Sequence, residues 1–314
     1  MVSLALRRSA IMRCSVVAAF MLVAGQASAD AWLDDHPLVD VVVDVRSGQV
    51  IERAALEARL AEADFVLLGE KHDNARHHAI QAELVDRLGA FGRLRAVAVE
   101  MLPTDRQAAL TEGLAGDGDM DELAAAVGWE ELGWGPWAWF EPIVEATHRH
   151  GATLVAANLP RADIGLIFRE GLAALDRDFR VATGLDQPLE ADDQAAREAL
   201  MVAVHCGHPL GERAAAMVAI QRARDARMAE RLALLSGTGQ GVLITGNAHA
   251  ANSAGVPVKL ARLRPEATVV SLGLIEVRAA WTDVPDEVFD HDYVWFTPRA
   301  QPEDHDYCAG FRPG

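Results

Sequence analysis

Lysine is almost missing from this chain. Its 314 residues hold 29 Lys and Arg together, of which only Lys71 and Lys259 are lysines, against 46 Asp and Glu, for a net charge of −17. With no basic stripe to neutralise phosphates, nucleic acid is a poor candidate partner. Tyrosine is as scarce, with two residues, and cysteine numbers three, which excludes a dense disulfide scaffold. After residue 29 no apolar run reaches bilayer-spanning length, so no transmembrane segment is expected in the mature chain. What is present is ordinary globular composition: 51% hydrophobic, 24% charged, mean hydropathy +0.07. This excludes disordered, collagen-like and coiled-coil chains and fits one large domain or two smaller ones.

Residues 1–29 read as a secretory signal peptide. Arg7, Arg8 and Arg13 make a basic start, Val16–Ala24 a short apolar stretch, and Ala27-Ser28-Ala29 a small-x-small cleavage site. The reading predicts an exported, periplasmic chain covering 30–314. Losing three cations and no anion deepens its charge to about −20. Cys14 precedes the apolar stretch, so it is not placed as a lipid-bearing cysteine. Cys206 and Cys308 remain. An even count in an exported chain predicts a disulfide tying the C-terminal tail to the body, with two free thiols as the alternative.

Six apolar or β-branched runs stand out: Val39–Val45, Phe65–Gly69, Ala96–Met101, Thr153–Ala157, Val242–Thr245 and Thr268–Val277. The first, with Gln49–Ile51 across Ser47-Gly48, predicts an antiparallel hairpin. The others are mostly continuous rather than alternating, as buried parallel strands are. Helical patterns fill Asn74–Leu88, Pro136–His150 and Pro209–Leu235. The expected fold class is α/β, a mainly parallel central sheet flanked by helices, with a helical insertion or lid at about 103–235. The Gly/Asp-rich stretch Gly113–Asp121 starts like a calcium loop, but Glu122 stands where glycine is needed.

Four of the runs end in polar groups. Two finish in Gly-x-x-His, as Gly69-Glu70-Lys71-His72 and Gly246-Asn247-Ala248-His249; the others run into Glu100 and Asn158. In an open α/β sheet the crevice beyond the carboxyl ends of the strands is where ligands bind. Glu70, His72, Glu100 and His249 on one rim suit a divalent metal ion, or a held water and proton transfer. The plainer reading makes the glutamates helix caps and the histidines loop residues.

Three further features bear on that rim. His77 falls on the buried stripe of the helix that Asn74 opens, either as a core histidine or beside the crevice. Gln221, Arg224 and Asp225 interrupt the apolar face of a later helix, as a buried ion pair or as partners orienting His249. Trp129, Trp134, Trp137, Trp139 and Phe140 crowd together, either as a small helical core or as a surface for a flat ligand or a partner subunit.

The ordered set of motifs resembles the ChaN-like haem-binding family, within the Tiki/erythromycin-esterase-type superfamily, over roughly 39–308. The matching stretches are Val66–Asn74, Ala98–Pro103 with Gln107, Leu132–Gly135, Ala156–Arg161, Gln221–Asp225 and Ile244–His249 with Gly255-Val-Pro257. The resemblance implies an exported haem- or iron-binding uptake protein whose homodimer encloses haem. Its hydrolase branches imply an alternative in which Glu70 and Glu100 activate water while His72 and His249 hold a metal or stabilise charge. A vestigial scaffold is the third reading.

Carried over by residue, Glu70, His72, Glu100 and His249 form this chain's pocket. His72, His77, His249 or Tyr293 would face the haem iron, and Arg161 or Arg106 the propionates. Two departures stand out. A lipoprotein signal is missing, and Phe140, which has no donor atom, stands where some relatives are expected to carry a ligating tyrosine. Tyr293 and Tyr307 are the remaining phenolate candidates.

Overall fold

The computed structural model describes residues 32–115, 119–236 and 239–309. The signal peptide read over 1–29, with Cys14, lies outside the described residues, as do residues 116–118 of the Gly/Asp-rich stretch. One sheet of eight strands organises the chain: β1 (Val42–Asp44), β2 (Gln49–Ile51), β3 (Phe65–Glu70), β4 (Leu94–Pro103), β5 (Thr153–Asn158), β6 (Gln240–Gly246), β7 (Val269–Glu276) and β8 (Tyr293–Thr297). Their order is β2-β1-β8-β7-β3-β6-β4-β5. The six strands from β8 to β5 are parallel, while β1 pairs antiparallel with β2 and β8.

Alternation along each strand divides the core into two layers. Val66 and Leu68 of β3, Val97 and Val99 of β4, and Val242 and Ile244 of β6 enter one cluster. Phe65 and Leu67, Ala96 and Ala98, and Leu243 enter the other. Both faces of these strands are therefore dry, which is why their sequence is a continuous apolar run. The alanines of β4 keep the second face shallow, so a long helix packs directly on β4.

The helices are α1 (Arg53–Glu62), α2 (Ala75–Ala90), α3 (Gln107–Leu114), α4 (Met120–Val127), α5 (Trp129–Leu132), α6 (Trp137–Arg149), α7 (Arg161–Glu170), α8 (Arg177–Thr183), α9 (Ala191–Val204), α10 (Arg213–Ser236), α11 (Asn247–Ala250) and α12 (Val256–Leu263). Asn74 caps α2, its side chain accepting from the backbone N–H of Arg76 and His77. The largely helical stretch at 103–235 is divided by β5 into two excursions, α3–α6 and α7–α10. As the edge strand, β5 offers open backbone groups. Gln107 closes part of that edge, donating to Leu154 O at 3.1 Å and accepting from Ala156 N at 2.9 Å.

Strand β8 is absent from the runs read in the sequence. Five residues between an Asp-rich turn and Pro298 make a weak local signal, yet β8 joins the opening hairpin to β7. Among the described residues no helix is long and apolar enough to cross a membrane. Cys206, just beyond α9, is bonded to Cys308, 102 residues further on, fastening the tail to the helical part. Cys308→Ser is expected to lower unfolding free energy by about 2–4 kcal/mol. Urea unfolding reads this, and the variant should lose the reductant sensitivity of the parent protein.

Candidate functional site

The carboxyl ends of β3, β4 and β6 bring one carboxylate to the centre of the molecule. Glu100 of β4 is buried, with Oε2 accepting from Thr245 Oγ1 at 2.6 Å and Gly246 N at 2.8 Å. On the other oxygen, Oε1, Arg224 Nη2 donates at 2.5 Å, while His249 Nε2 stands at 3.6 Å and His72 Nε2 at 3.8 Å. Arg224 comes from α10 and is steadied by Asn158, whose Oδ1 accepts from its Nε at 3.1 Å. Asn158 itself donates to the Glu100 carbonyl at 2.8 Å. The polar residues interrupting the apolar face of α10 thus reach the strand ends.

Each imidazole has a second carboxylate behind it. His72 Nδ1 lies 2.8 Å from Glu70 Oε1, and His249 Nδ1 lies 2.5 Å from Asp225 Oδ1. Glu70 Oε2 also lies 3.1 Å from His78 Nδ1, while His78 Nε2 donates to the His72 carbonyl at 3.1 Å. The result is an alternating chain: Asp225, His249, Glu100, His72, Glu70, His78. Neither glutamate caps a helix. Gly246 has an ordinary backbone conformation, but a Cβ there would stand 3.0 Å from His72 Nε2. Glycine keeps that side of the imidazole open.

The electrostatics follow from the alternation. Burial pushes the Glu100 carboxyl up, but the charges of His249, Arg224 and His72 and the Thr245 hydrogen bond outweigh it, lowering it from 4.5 to about 2. Desolvation opposes charge on His72, yet Glu70 and Glu100 raise it above its ordinary 6.5. His249 is likewise raised by Glu100 and Asp225 against desolvation. For Asp225, burial dominates and raises it.

Other residues read as candidates fall elsewhere. His77 is fully buried: Nδ1 accepts from Lys71 N at 2.9 Å and Nε2 meets Thr297 Oγ1 at 2.7 Å. Desolvation holds it well below 6.5, so it is a neutral bolt between strand ends rather than a group facing the rim. Tyr293 opens β8 opposite Leu272, in the middle of β7, and its phenol is taken up by Arg59 beside Asp44 rather than by the rim residues. Arg161 is exposed at the start of α7, just beyond Asn158. Arg106 lies against Gly128 and Glu131 of the helical part. Phe140 is buried, stacked on Trp129 at 4.8 Å, with Trp137 beside both. Trp134, partly buried against the same cluster, also meets the half-exposed His72 ring at 4.7 Å. It sits between Gly133 and Gly135, both at positive φ, a backbone path that suits glycine. Trp139 approaches His78.

A family model for haem-binding uptake, Tiki superfamily, ChaN, matches residues 56–260. The chain belongs to this family. ChaN of Campylobacter jejuni, a structure described for cofacial haem binding, is similar at 22% identity, over 81% of this chain and 95% of that one, with a TM-score of 0.65. That likeness shows the shared ChaN fold. Lower-scoring likenesses are to the type III effector HopBA1 (16% identity, 84% and 99% covered, TM-score 0.42) and a mutant of erythromycin esterase EreC in its open conformation (14% identity, 83% and 83% covered, TM-score 0.44). No curated protein matches the chain.

A divalent ion fits the ChaN-family rim of this chain poorly. Glu100 Oε1 already faces a guanidinium and Oε2 already has two donors. Among the described residues, no group of three or more His, Cys, Asp or Glu side chains is placed to hold a metal ion. The expected metal set of Glu70, His72, Glu100 and His249 forms a chain of ion pairs here, with a hydrogen bond between Glu70 and His72. Haem fits the outer rim better, where Trp134 offers a flat apolar wall. The exposed phenol of Tyr307 accepts from Lys71 Nζ at 2.5 Å and donates to Asp73 at 3.1 Å, the two residues that flank His72 in sequence.

Glu100 carries a pH signature. Its folded value is depressed, so its stabilisation is complete above about 4.5 and is lost as pH falls from 4.5 towards 2. His72 and His249 are raised, so theirs is complete below 6.5 and lost as pH climbs through the raised values. His77, which is lowered, acts oppositely, costing stability as pH falls below 6.5. Glu100→Gln is expected to lower stability by about 3–5 kcal/mol at neutral pH, because Arg224 and two imidazoles lose their shared anion. Urea unfolding at stepped pH should show the gap to the parent narrowing between pH 4.5 and 2. A constant gap would contradict an ionised Glu100.

Proposed function

We propose that this protein binds haem at the carboxyl rim of its sheet and serves haem uptake after export. The observation that carries the reading is the pairing of Trp134 with half-exposed His72 at the mouth of the strand-end crevice, in a chain of the ChaN family. An aromatic wall beside polar donors suits a porphyrin, which needs apolar contact on its face and an axial ligand at its iron. His72 has both ring nitrogens turned toward carboxylates, so the group presented outward is the phenol of Tyr307. Partial burial pushes that phenol up, while Lys71 beside the oxygen favours its anion. Ferric iron would displace the proton. Arg161, exposed beyond Asn158, would meet a propionate.

Export is supported by the leader pattern of residues 1–29 and by the Cys206–Cys308 bond, which suits an oxidising compartment such as the periplasm. A homodimer enclosing haem extends the same reading. Under the hydrolase alternative, a carboxylate held at about 2 is a weak base, so Glu100 would orient the imidazoles rather than activate water. His72 and His249, both raised above 6.5 by their carboxylates, would be the proton donors.

Hemin titration tests the reading. A saturable Soret shift is expected, with affinity lowered about tenfold or more by Tyr307→Phe and by Trp134→Ala. Sedimentation of the loaded protein reads the dimer. Absence of any Soret shift, with ester hydrolysis that Glu70→Gln and Glu100→Gln abolish, would overturn the haem reading in favour of the hydrolase.

A further inference from the structure

On the side of His249 away from Glu100, buried cations outnumber the anions that face them. Lys259 of α12 is 8% exposed and Arg222 of α10 is 9% exposed. Among the described residues, the Lys259 ammonium makes no hydrogen bond and no ion pair within 4.0 Å, and its tip keeps contact with solvent. Arg222 donates to the carbonyl of Gln187 at 2.7 Å, a neutral acceptor. Arg197 of α9 stands 3.7 Å from Asp193, and its Nε is buried without an acceptor. Helix α10 packs on both α9 and α12, and the three side chains are near enough for the charges of Arg222 and Arg197 to act on Lys259. Asp225, the carboxylate that faces them, is committed to His249 at 2.5 Å.

Burying a cation without a partner is costly, and desolvation together with mutual repulsion holds Lys259 and Arg222 below their ordinary values. In a chain of net charge −17, such a deficit of acid is local and specific. We propose that the junction of α9, α10 and α12 is a binding site for a small oxyanion, a phosphate or carboxylate group, held by Lys259, Arg222 and Arg197. The guanidinium forks supply paired donors and the lysine a compact charge that completes the site. This site is independent of the haem reading, since none of its three cations belongs to the Trp134 rim.

The test uses the full chain, with inorganic phosphate and acetate as probes, each compared with chloride at matched ionic strength and neutral pH. Calorimetric titration should show saturable binding of at least one probe, and that anion should raise Tm. Lys259→Met, which keeps the apolar stem, should bind about tenfold more weakly, the worth of one charge-assisted hydrogen bond. Its Tm in chloride should not fall, because an unpaired buried charge is removed. Arg222→Gln provides a second variant, and Lys259→Arg should retain binding. Preference for phosphate identifies a phosphate-bearing ligand; equal response to acetate identifies a carboxylate. No saturable binding of either probe, or binding unchanged in both Lys259→Met and Arg222→Gln, overturns the proposal.

Discussion

The interior of this protein is arranged around a single buried anion. Glu100 sits on β4, next to the edge strand β5 but buried out of reach of water, and donors from several elements converge on its two oxygens. Thr245 and the Gly246 amide come from the neighbouring strand, Arg224 from the helix above, and two imidazoles from the turns that follow β3 and β6. Once charged, those imidazoles need anions of their own, and Glu70 and Asp225 supply them. The alternation of acid and imidazole is therefore a consequence of burying one carboxylate in a low-dielectric sheet.

This constraint divides the strand-end region by chemistry. Inside, the ring nitrogens of His72 and His249 are directed at carboxylates, which makes them proton-bearing groups and poor free ligands. Outside, Trp134, Tyr307 and Arg161 offer the aromatic, phenolic and cationic contacts that a porphyrin with two carboxylates can use. An overall charge of −17 repels such an anionic ligand at long range, so the proposed haem binding would rest on local contacts rather than on steering. The disulfide from Cys206 to Cys308 matters here because Tyr307 is its neighbour in sequence. The bond holds the phenol-bearing tail near Lys71 and Asp73.

Much of this was legible in the sequence, for identifiable reasons. Runs such as Phe65–Gly69 and Val242–Thr245 are apolar on both alternating sets of residues, and only a strand covered on both faces needs that. The repeated Gly-x-x-His and the glutamate ending a third run placed the rim, and Gln221, Arg224 and Asp225 announced themselves as polar residues on an apolar helical face. Other elements carried no such mark. Strand β8 is short, and its partners are 17 residues or more away, so its pairing is a tertiary fact. Lys259 and Arg222 look like ordinary solvated cations until α9, α10 and α12 are packed together.

By itself, the sequence determined the layer architecture, the rim where polar groups collect, the disulfide partners and the ChaN-family relationship, because burial periodicity and ordered motifs are written locally. Only the tertiary structure decided what each polar group faces. It turned His77 into a bolt between strand ends, paired Tyr293 with Arg59 and brought Tyr307 to Lys71 and Asp73 beyond β3. It also set Arg224 against the carboxylate of Glu100. Those outcomes depend on distances between residues up to 236 positions apart, and the electrostatic interactions that sort acid from imidazole act through space and burial rather than along the chain.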